Sequence, residues 1–430
     1  MLDRIFKLKA HNTSVKTEII AGVTTFLTMA YIIFVNPSML ASTGMDEGAV
    51  FVATCLAAAI GCFIMGFWAN YPIALAPGMG LNAFFSFTVV GQMGYSWETA
   101  LGAVFISGVC FFLLSAFRLR EWIINSIPLA LRAGIGAGIG LFLGFIGLKN
   151  AGIVVDSPAT LVTLGDLSQW GVIMCCLGFV LITALYHRRI TGAVMIGILS
   201  ITLISLLAGE TRFNGLFAAP PSLTPTLAQL DILGALNIGL VSVIFSFLFV
   251  DLFDTSGTLI AVAQKGQLLT PDGKLPRLGR ALMADSTATM AGAVMGTSTT
   301  TSYVESGAGI AAGGRTGLTA VVTGILFLGC LFLSPLAGTI TGYATAPALL
   351  FVAVLMTHSL VQIDWEDITE AAPVVIAAIS MPLTFSITSG IAFGMISYTA
   401  IKALSGRLDQ LNPALWILSI LFIIKLAFYG

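Results

Sequence analysis

From residue 18 almost to its end, the chain is a succession of apolar runs, each long enough to cross a hydrocarbon layer of about 30 Å. No water is available at that depth for backbone N–H and C=O groups, so a spanning chain must close its own hydrogen bonds as helices or as a sealed barrel. The alternating apolar and polar pattern of a membrane barrel is absent. The expected class is an all-α polytopic membrane protein. Composition agrees: 57% of the 430 residues are hydrophobic and only 9% charged, too few charges to cover a soluble surface.

Spanning segments are predicted at 18–36, 48–67, 73–92, 98–118, 129–148, 169–186 and 190–208, then at 236–262, 279–296, 299–313, 316–335, 340–357, 371–386 and 389–404. That is seven plus seven. A further apolar run, 412–428, has no counterpart in the first half and either spans the membrane or lies along it. The N-terminal extension, 1–17, is basic, and the apolar stretch behind it continues through Pro37 without a small-residue cleavage site. It therefore reads as the approach to a retained first helix, not as a signal peptide.

Lys and Arg concentrate at Arg4, Lys7, Lys9 and Lys16, at Arg118, Arg120 and Arg132, at Arg188 and Arg189, and at Lys265, Lys274, Arg277 and Arg280. With this segment count every cluster falls on the N-terminal side, which the positive-inside rule makes cytoplasmic. The expected location is a bacterial inner membrane. Six cysteines lie within apolar runs without metal spacing and read as packing residues. His11, His187 and His358 fall near segment ends or in the extension, so no metal site is expected. A net charge of −1 and the lack of a polybasic segment give no reason to expect a nucleic-acid partner.

An odd number of helices per half inverts the second half relative to the first. Each half carries an interruption in its third segment: "YPIALAPGMGLNAFFSF" at 71–87 and "GTSTTTSYVESGAG" at 296–309. Broken helices at matching places in inverted halves point to a transporter's midplane site. Pro77 removes a backbone donor, while Gly78 and Gly80 tolerate unusual dihedrals, so the helix should break there and resume near Leu81. Asn82 then lies close to a fresh helix N-terminus, offering a donor and an acceptor. Thr297 to Ser302 is β-prone, and a half-helix is expected from about Val304, which puts Glu305 at its N-terminus. Two short strands, one from each half, are expected to pair. The plainer alternative is that Pro77, Gly78 and Gly80 only kink a helix and that Glu305 pairs with Arg315.

Ionised carboxylates at membrane depth are costly and normally face a polar cavity. Asp251 and Asp254 share roughly one helix face, and both cannot ionise cheaply side by side. Thr255, Ser256 and Thr258 add hydroxyls around Gly257. Asp254 is the stronger functional candidate; for Asp251 the alternative is a helix-packing hydrogen bond. Asp285 follows a loop and is expected either to join the site or to cap a helix start.

Four stretches, in order, give the chain a known look: "GVTTFLTMAYIIFVNP" at 22–37, "ALAPGMGLNAFF" at 74–85, "DLFDTSGTLIAVA" at 251–263, and "GTSTTTSYVESGAGI" at 296–310 followed by "GGRTGLTAVVTG" at 313–324. Over residues 15–410 it resembles the nucleobase/cation symporter-2 (nucleobase-ascorbate transporter) family, and more closely its Azg-like branch of purine permeases. The Thr/Ser-rich tenth segment stands where the wider family carries an Asn-x-Gly type signature. The resemblance implies a 7+7 inverted repeat with short antiparallel strands in segments 3 and 10. Its core domain would comprise 18–118 and 236–335, and its gate domain 129–208 and 340–404. It also implies proton-coupled purine uptake and a homodimer formed through the gate domain.

Carried over position by position, the resemblance places the eighth-segment acid at Asp254, the tenth-segment acid at Glu305 and the third-segment polar residue at Asn82, with Tyr303 and Val304 lining the pocket. The expected substrate-binding set is Asn82, Ala83, Phe84, Asp254, Thr258, Tyr303, Val304 and Glu305, with Phe84, Phe85 or Tyr303 stacking on the ring. Asp254 and Glu305 are the proton-coupling candidates, Asp254 taking the proton, and Asp251 and Asp285 are secondary. No cofactor beyond the proton and no enzymatic activity are expected. The favoured substrate is a 6-oxopurine, with adenine the alternative base. The rival readings are an anion carrier of related fold, a channel, and an intramembrane aspartyl hydrolase, for which the Gly-x-Gly-Asp pattern is missing.

Overall fold

A computed structural model describes residues 2–117, 128–270 and 275–429. Arg118, Arg120 and Lys274 of the basic clusters, and the last residue of the predicted 98–118 segment, lie outside the described residues. Among the described residues nine helices are long and apolar enough to cross a membrane, and three shorter apolar helices accompany them.

In the first half, α1 (Val15–Met29) starts where Ser14 accepts from the Thr17 amide at 3.2 Å. It breaks at Ala30 and Tyr31 and continues as α2 (Ile32–Ala41), a discontinuity the apolar pattern does not announce. Helix α3 (Glu47–Ile64) is capped by Asp46, which accepts from Ala49 at 2.7 Å. Segment 3 is broken: strand β1 (Leu75–Pro77), the short helix α4 (Met79–Ala83), then a wide π-type coil over Phe84–Gln92. Next come α5 (Trp97–Ala116), α6 (Leu129–Asn150), α7 (Trp170–His187) and α8 (Ala193–Leu207). Between α6 and α7 an exposed hairpin, β2 (Val154–Ser157) with β3 (Leu161–Leu164), fills a stretch for which the sequence suggested only a connection.

The second half repeats the plan with α9 (Ile238–Lys265), α10 (Leu278–Met295), strand β4 (Thr300–Ser302), the short α11 (Ser306–Ala311), α12 (Gly317–Cys330), α13 (Gly342–Thr357), α14 (Ile368–Thr384) and α15 (Ile387–Leu404). Arg280 and Asp285, with Ser286, Thr287 and Thr289, keep α10 out of the apolar set, although it has 18 residues. The extra run forms α16 (Pro413–Tyr429). Ser419 on α16 meets the Thr399 hydroxyl at 2.8 Å and the Met395 carbonyl at 3.2 Å, so α16 stands alongside α15.

Helices α1, α3, α5, α9, α10, α11 and α12 pack into one group, and α6, α7, α8, α13, α14 and α15 into another. The N-terminal extension is docked on the first group: Phe6 is buried against Leu318 and Val321. The Asn70 amide donates to the Phe6 carbonyl at 3.0 Å and its oxygen accepts from Gly317 at 2.7 Å. Residue 70 therefore marks the N-terminal end of the molecule, and segment 3 runs away from it.

Candidate functional site

Strands β1 and β4 pair antiparallel at the centre of the first group, with Leu75 opposite Ser302, Ala76 opposite Thr301 and Pro77 opposite Thr300. Extended backbone at membrane depth is tolerated only when its polar groups are satisfied within protein, and here they are. Gly78 donates to the Thr299 carbonyl at 2.9 Å and Tyr303 to that of Ala74 at 3.0 Å. On the other edges, Leu75 exchanges hydrogen bonds with Cys62 Sγ at 3.3 and 3.4 Å, Ala74 donates to Ser306 Oγ at 3.0 Å, and Thr289 Oγ1 donates to the Thr300 carbonyl at 2.9 Å. Cys62 thus completes a strand edge as well as packing. Cys176, in contrast to the packing expectation, is exposed.

The expected strand pair and second half-helix are present, the helix starting at Ser306 with Glu305 at its cap position. Glu305 is half-buried, and the Tyr31 hydroxyl donates to its Oε1 at 2.7 Å. Arg315 does not pair with it. Its guanidinium donates to the carbonyls of Ile310 and Gly314 at 2.7 Å each, closing the end of α11. Gly309 lets α11 lie against α1, since a Cβ there would fall 2.0 Å from Thr25 Oγ1 and 2.6 Å from the Ala21 carbonyl. Val304 is 46% exposed beside Glu305, whereas Tyr303 is buried and its hydroxyl donates to the Pro77 carbonyl at 2.5 Å. The Tyr303 phenol is therefore committed to holding the two strands together.

Asp254 on α9 is also half-buried, close enough to Glu305 and Asp285 for their charges to act on it. Asp251, one turn earlier, is buried, with the hydroxyls of Thr289 and Thr255 at 3.4 and 3.5 Å. Asp285 lies in the middle of α10 rather than at a helix start. It is fully buried and accepts from Thr255 at 2.8 Å and Ser302 at 2.9 Å. Thr255 also meets Thr301 Oγ1 at 2.6 Å, so Asp285 anchors β4 from behind. Thr258 is buried on α9.

From the first half, Asn82 and Ala83 are fully buried on α4, and neither polar atom of the Asn82 amide has a hydrogen-bond partner. An orphaned buried amide needs a reason, and a polar ligand is one. Phe84 and Phe85 are buried too, Phe84 edge-on to Phe247 at 5.0 Å. Two surface depressions of about 400 Å³ each lie elsewhere, one beside His11 and Arg315 and one beside Phe179 and Leu350. Asp254, Val304 and Glu305 are each partly exposed.

Two polar contacts near the candidate site have no signal in the sequence reading. One is Tyr31. The other is Glu18, a buried acid on α1 that accepts from the amides of Arg315 at 2.9 Å and of Thr316 and Thr319 at 3.3 Å, and from the Thr319 hydroxyl at 2.6 Å. Glu18 caps the N-terminus of α12, where unpaired N–H groups and the helix dipole favour a carboxylate.

A family model described as "Permease family" matches residues 16–393. The chain belongs to this nucleobase/ascorbate family of permeases. Among its relatives is the adenine permease AdeP of Escherichia coli, 52% identical over 428 residues that cover 100% of this chain and 96% of AdeP. The guanine/hypoxanthine permease PbuO of Bacillus subtilis is 45% identical, covering 98% of this chain and 99% of PbuO. Both are transporters and not enzymes, and so is this permease. Among solved structures, the transmembrane domain of the cyanobacterial bicarbonate transporter BicA superposes with a TM-score of 0.67 at 14% identity, covering 87% of this chain and 97% of that one. At that identity the likeness concerns the fold alone: the permease has the 7+7 transporter architecture.

Proposed function

We propose that this permease imports purine nucleobases by proton symport, with the base held between the two helix groups. The observation that carries the reading is the pair Asp254 and Glu305, both partly exposed, near enough for their charges to interact, and neither in an ion pair among the described residues. Ionised carboxylates accept hydrogen bonds and do not donate, which suits the N–H-rich edges of a neutral purine and repels an anion. An anion carrier is therefore disfavoured despite the BicA-like fold. The orphaned Asn82 amide offers both a donor and an acceptor. An amide turned one way or the other suits adenine or a 6-oxopurine.

Asp254 carries the coupling proton in this scheme, and Glu305 binds the base. Glu305 is already held by Tyr31, whereas no hydrogen bond engages Asp254 among the described residues. A potential of 100 mV supplies about 2.3 kcal/mol per charge moved, and one pH unit about 1.4 kcal/mol, enough for concentrative uptake. The same reading places the N-terminus in the cytoplasm of a bacterial inner membrane, treats the first group as a moving core and the second as a gate, and takes the gate as the face of a homodimer.

The deciding experiment is uptake of radiolabelled adenine and hypoxanthine in cells lacking their own purine carriers, with purines and uracil as competitors and a protonophore control. Adenine goes first because AdeP stands above PbuO in identity. Accumulation that purines block and a protonophore collapses is the expected result. No uptake of any base by surface-expressed protein sinks the proposal.

A further inference from the structure

Tyr31 sits in the break between α1 and α2, buried, and its hydroxyl reaches across 274 residues of sequence to Glu305. A buried phenol seeks a hydrogen-bond partner, and this one has found the partly exposed acid rather than a nearby backbone carbonyl. The contact is not needed to fasten α11 to α1. Thr28 Oγ1 approaches the Glu305 carbonyl at 3.4 Å, Gly309 packs directly on Thr25 and Ala21, and Glu18 clamps α12 one helix further on. What the hydroxyl adds is local. It engages Oε1 and restrains the side chain, which leaves Oε2 without a side-chain hydrogen-bond partner among the described residues. A side chain ordered in advance loses less freedom when the ligand arrives.

We propose that Tyr31 is a positioning residue for base recognition, holding Glu305 by Oε1 so that Oε2 is presented to an N–H of the purine. The inference rests on the reading of Glu305 as the base acceptor. It adds a residue from the first segment to a site otherwise drawn from the third, eighth and tenth.

The test compares wild type with Tyr31→Phe, which removes the hydroxyl and keeps the ring. Initial uptake rates of adenine and hypoxanthine are measured against concentration, and thermal unfolding is followed on purified protein. The expected result is a KM raised about tenfold with kcat within about twofold and an unchanged melting temperature. Equilibrium binding of the base to Glu305→Ala and to the Tyr31→Phe/Glu305→Ala double variant completes a cycle. Losing the hydroxyl should cost nothing further once the carboxylate is gone.

An unchanged KM in Tyr31→Phe overturns the inference. So does a loss of kcat that tracks a fall in melting temperature, which is the mark of a structural role, and so do fully multiplicative losses in the double variant. If wild type itself neither takes up nor binds a purine, the functional reading fails and this inference with it. A working wild type with a neutral Tyr31→Phe fails the inference alone.

Discussion

The Thr88 hydroxyl donates to the Phe385 carbonyl at 2.5 Å, joining the broken third segment of the first helix group to the turn between α14 and α15. Phe385 holds φ at 52°, a left-handed conformation that is uncommon for an aromatic residue. Its ring is met edge-on by Phe142 and Phe145, with the Lys149 ammonium 5.1 Å from its centre. Thr388 donates to Ser246 at 2.6 Å close by. Both bonds lie at the end away from residue 70, so the described conformation is fastened there. Each is worth about 1 kcal/mol, and losing both should favour the conformation open at that end by about thirtyfold. A Thr88→Val/Ser246→Ala variant carrying a cysteine at position 304 should react faster with an impermeant thiol reagent applied from that side. Equal labelling rates would count against the closure.

Asp254 and Glu305 should fail differently. Asp254→Asn is expected to lose accumulation against a gradient while keeping base exchange, measured as counterflow in proteoliposomes; full proton-driven uptake would remove Asp254 from the coupling role. Glu305→Gln should weaken base binding about ten- to hundredfold, the cost of a hydrogen bond to a charged group. Unchanged affinity would move the acceptor elsewhere.

Gly309→Ala tests how closely α11 must approach α1. The added Cβ would collide with Thr25 Oγ1 and the Ala21 carbonyl, and the backbone contact cannot be relieved by a rotamer change. Overpacking of this kind costs about 1–3 kcal/mol and should displace Glu305 from Tyr31. Thermal unfolding should fall by several degrees together with uptake, and a neutral variant would show that the helices tolerate separation.

Asp367, at the start of α14, gives a pH signature away from the candidate site. It accepts from the Thr369 hydroxyl at 2.7 Å and amide at 3.0 Å and pairs with Arg407. The Thr369 hydroxyl bond, helped by Arg407 and the Thr369 amide, lowers its pKa to about 2 against an opposing effect of desolvation second only to that bond. A depressed carboxylate contributes stability that is complete above its unfolded pKa of about 3.9 and is lost as pH falls through the folded value. Wild type should therefore lose melting temperature between about pH 4 and pH 2 by a margin that Asp367→Asn does not show. Parallel acid limbs would refute the assignment.

The fold was legible because water's absence forces apolar runs into helices, and the site was legible where the sequence breaks that rule. Pro77, Gly78 and the Thr297–Ser302 run cannot make good helix, and that is where β1 and β4 pair. Glu305 was legible because a lone acid in an apolar run needs a purpose. Tyr31 was not, because a tyrosine among apolar residues reads as packing and its partner is far away in sequence. Glu18 fell at the edge of the predicted first segment, where an acid is unremarkable, so its burial at the end of α12 left no trace. Asp285 was misplaced for a related reason. Its place after a loop suggested a helix cap, whereas Thr255 and Ser302 supply the partners that let the acid sit mid-helix.

The central ribbon also sets an order of events during synthesis. Tyr303 and Pro77 are 226 positions apart, so at about 5–20 residues per second β1 emerges roughly 10–45 s before its partner strand exists. Through that interval the polar groups that β4 will bond have no partner, and the lipid interior offers none. Segment 3 of a nascent chain must therefore wait beside water or within the insertion machinery. A polypeptide that stops short of residue 300 is a proteolysis substrate and not half a transporter.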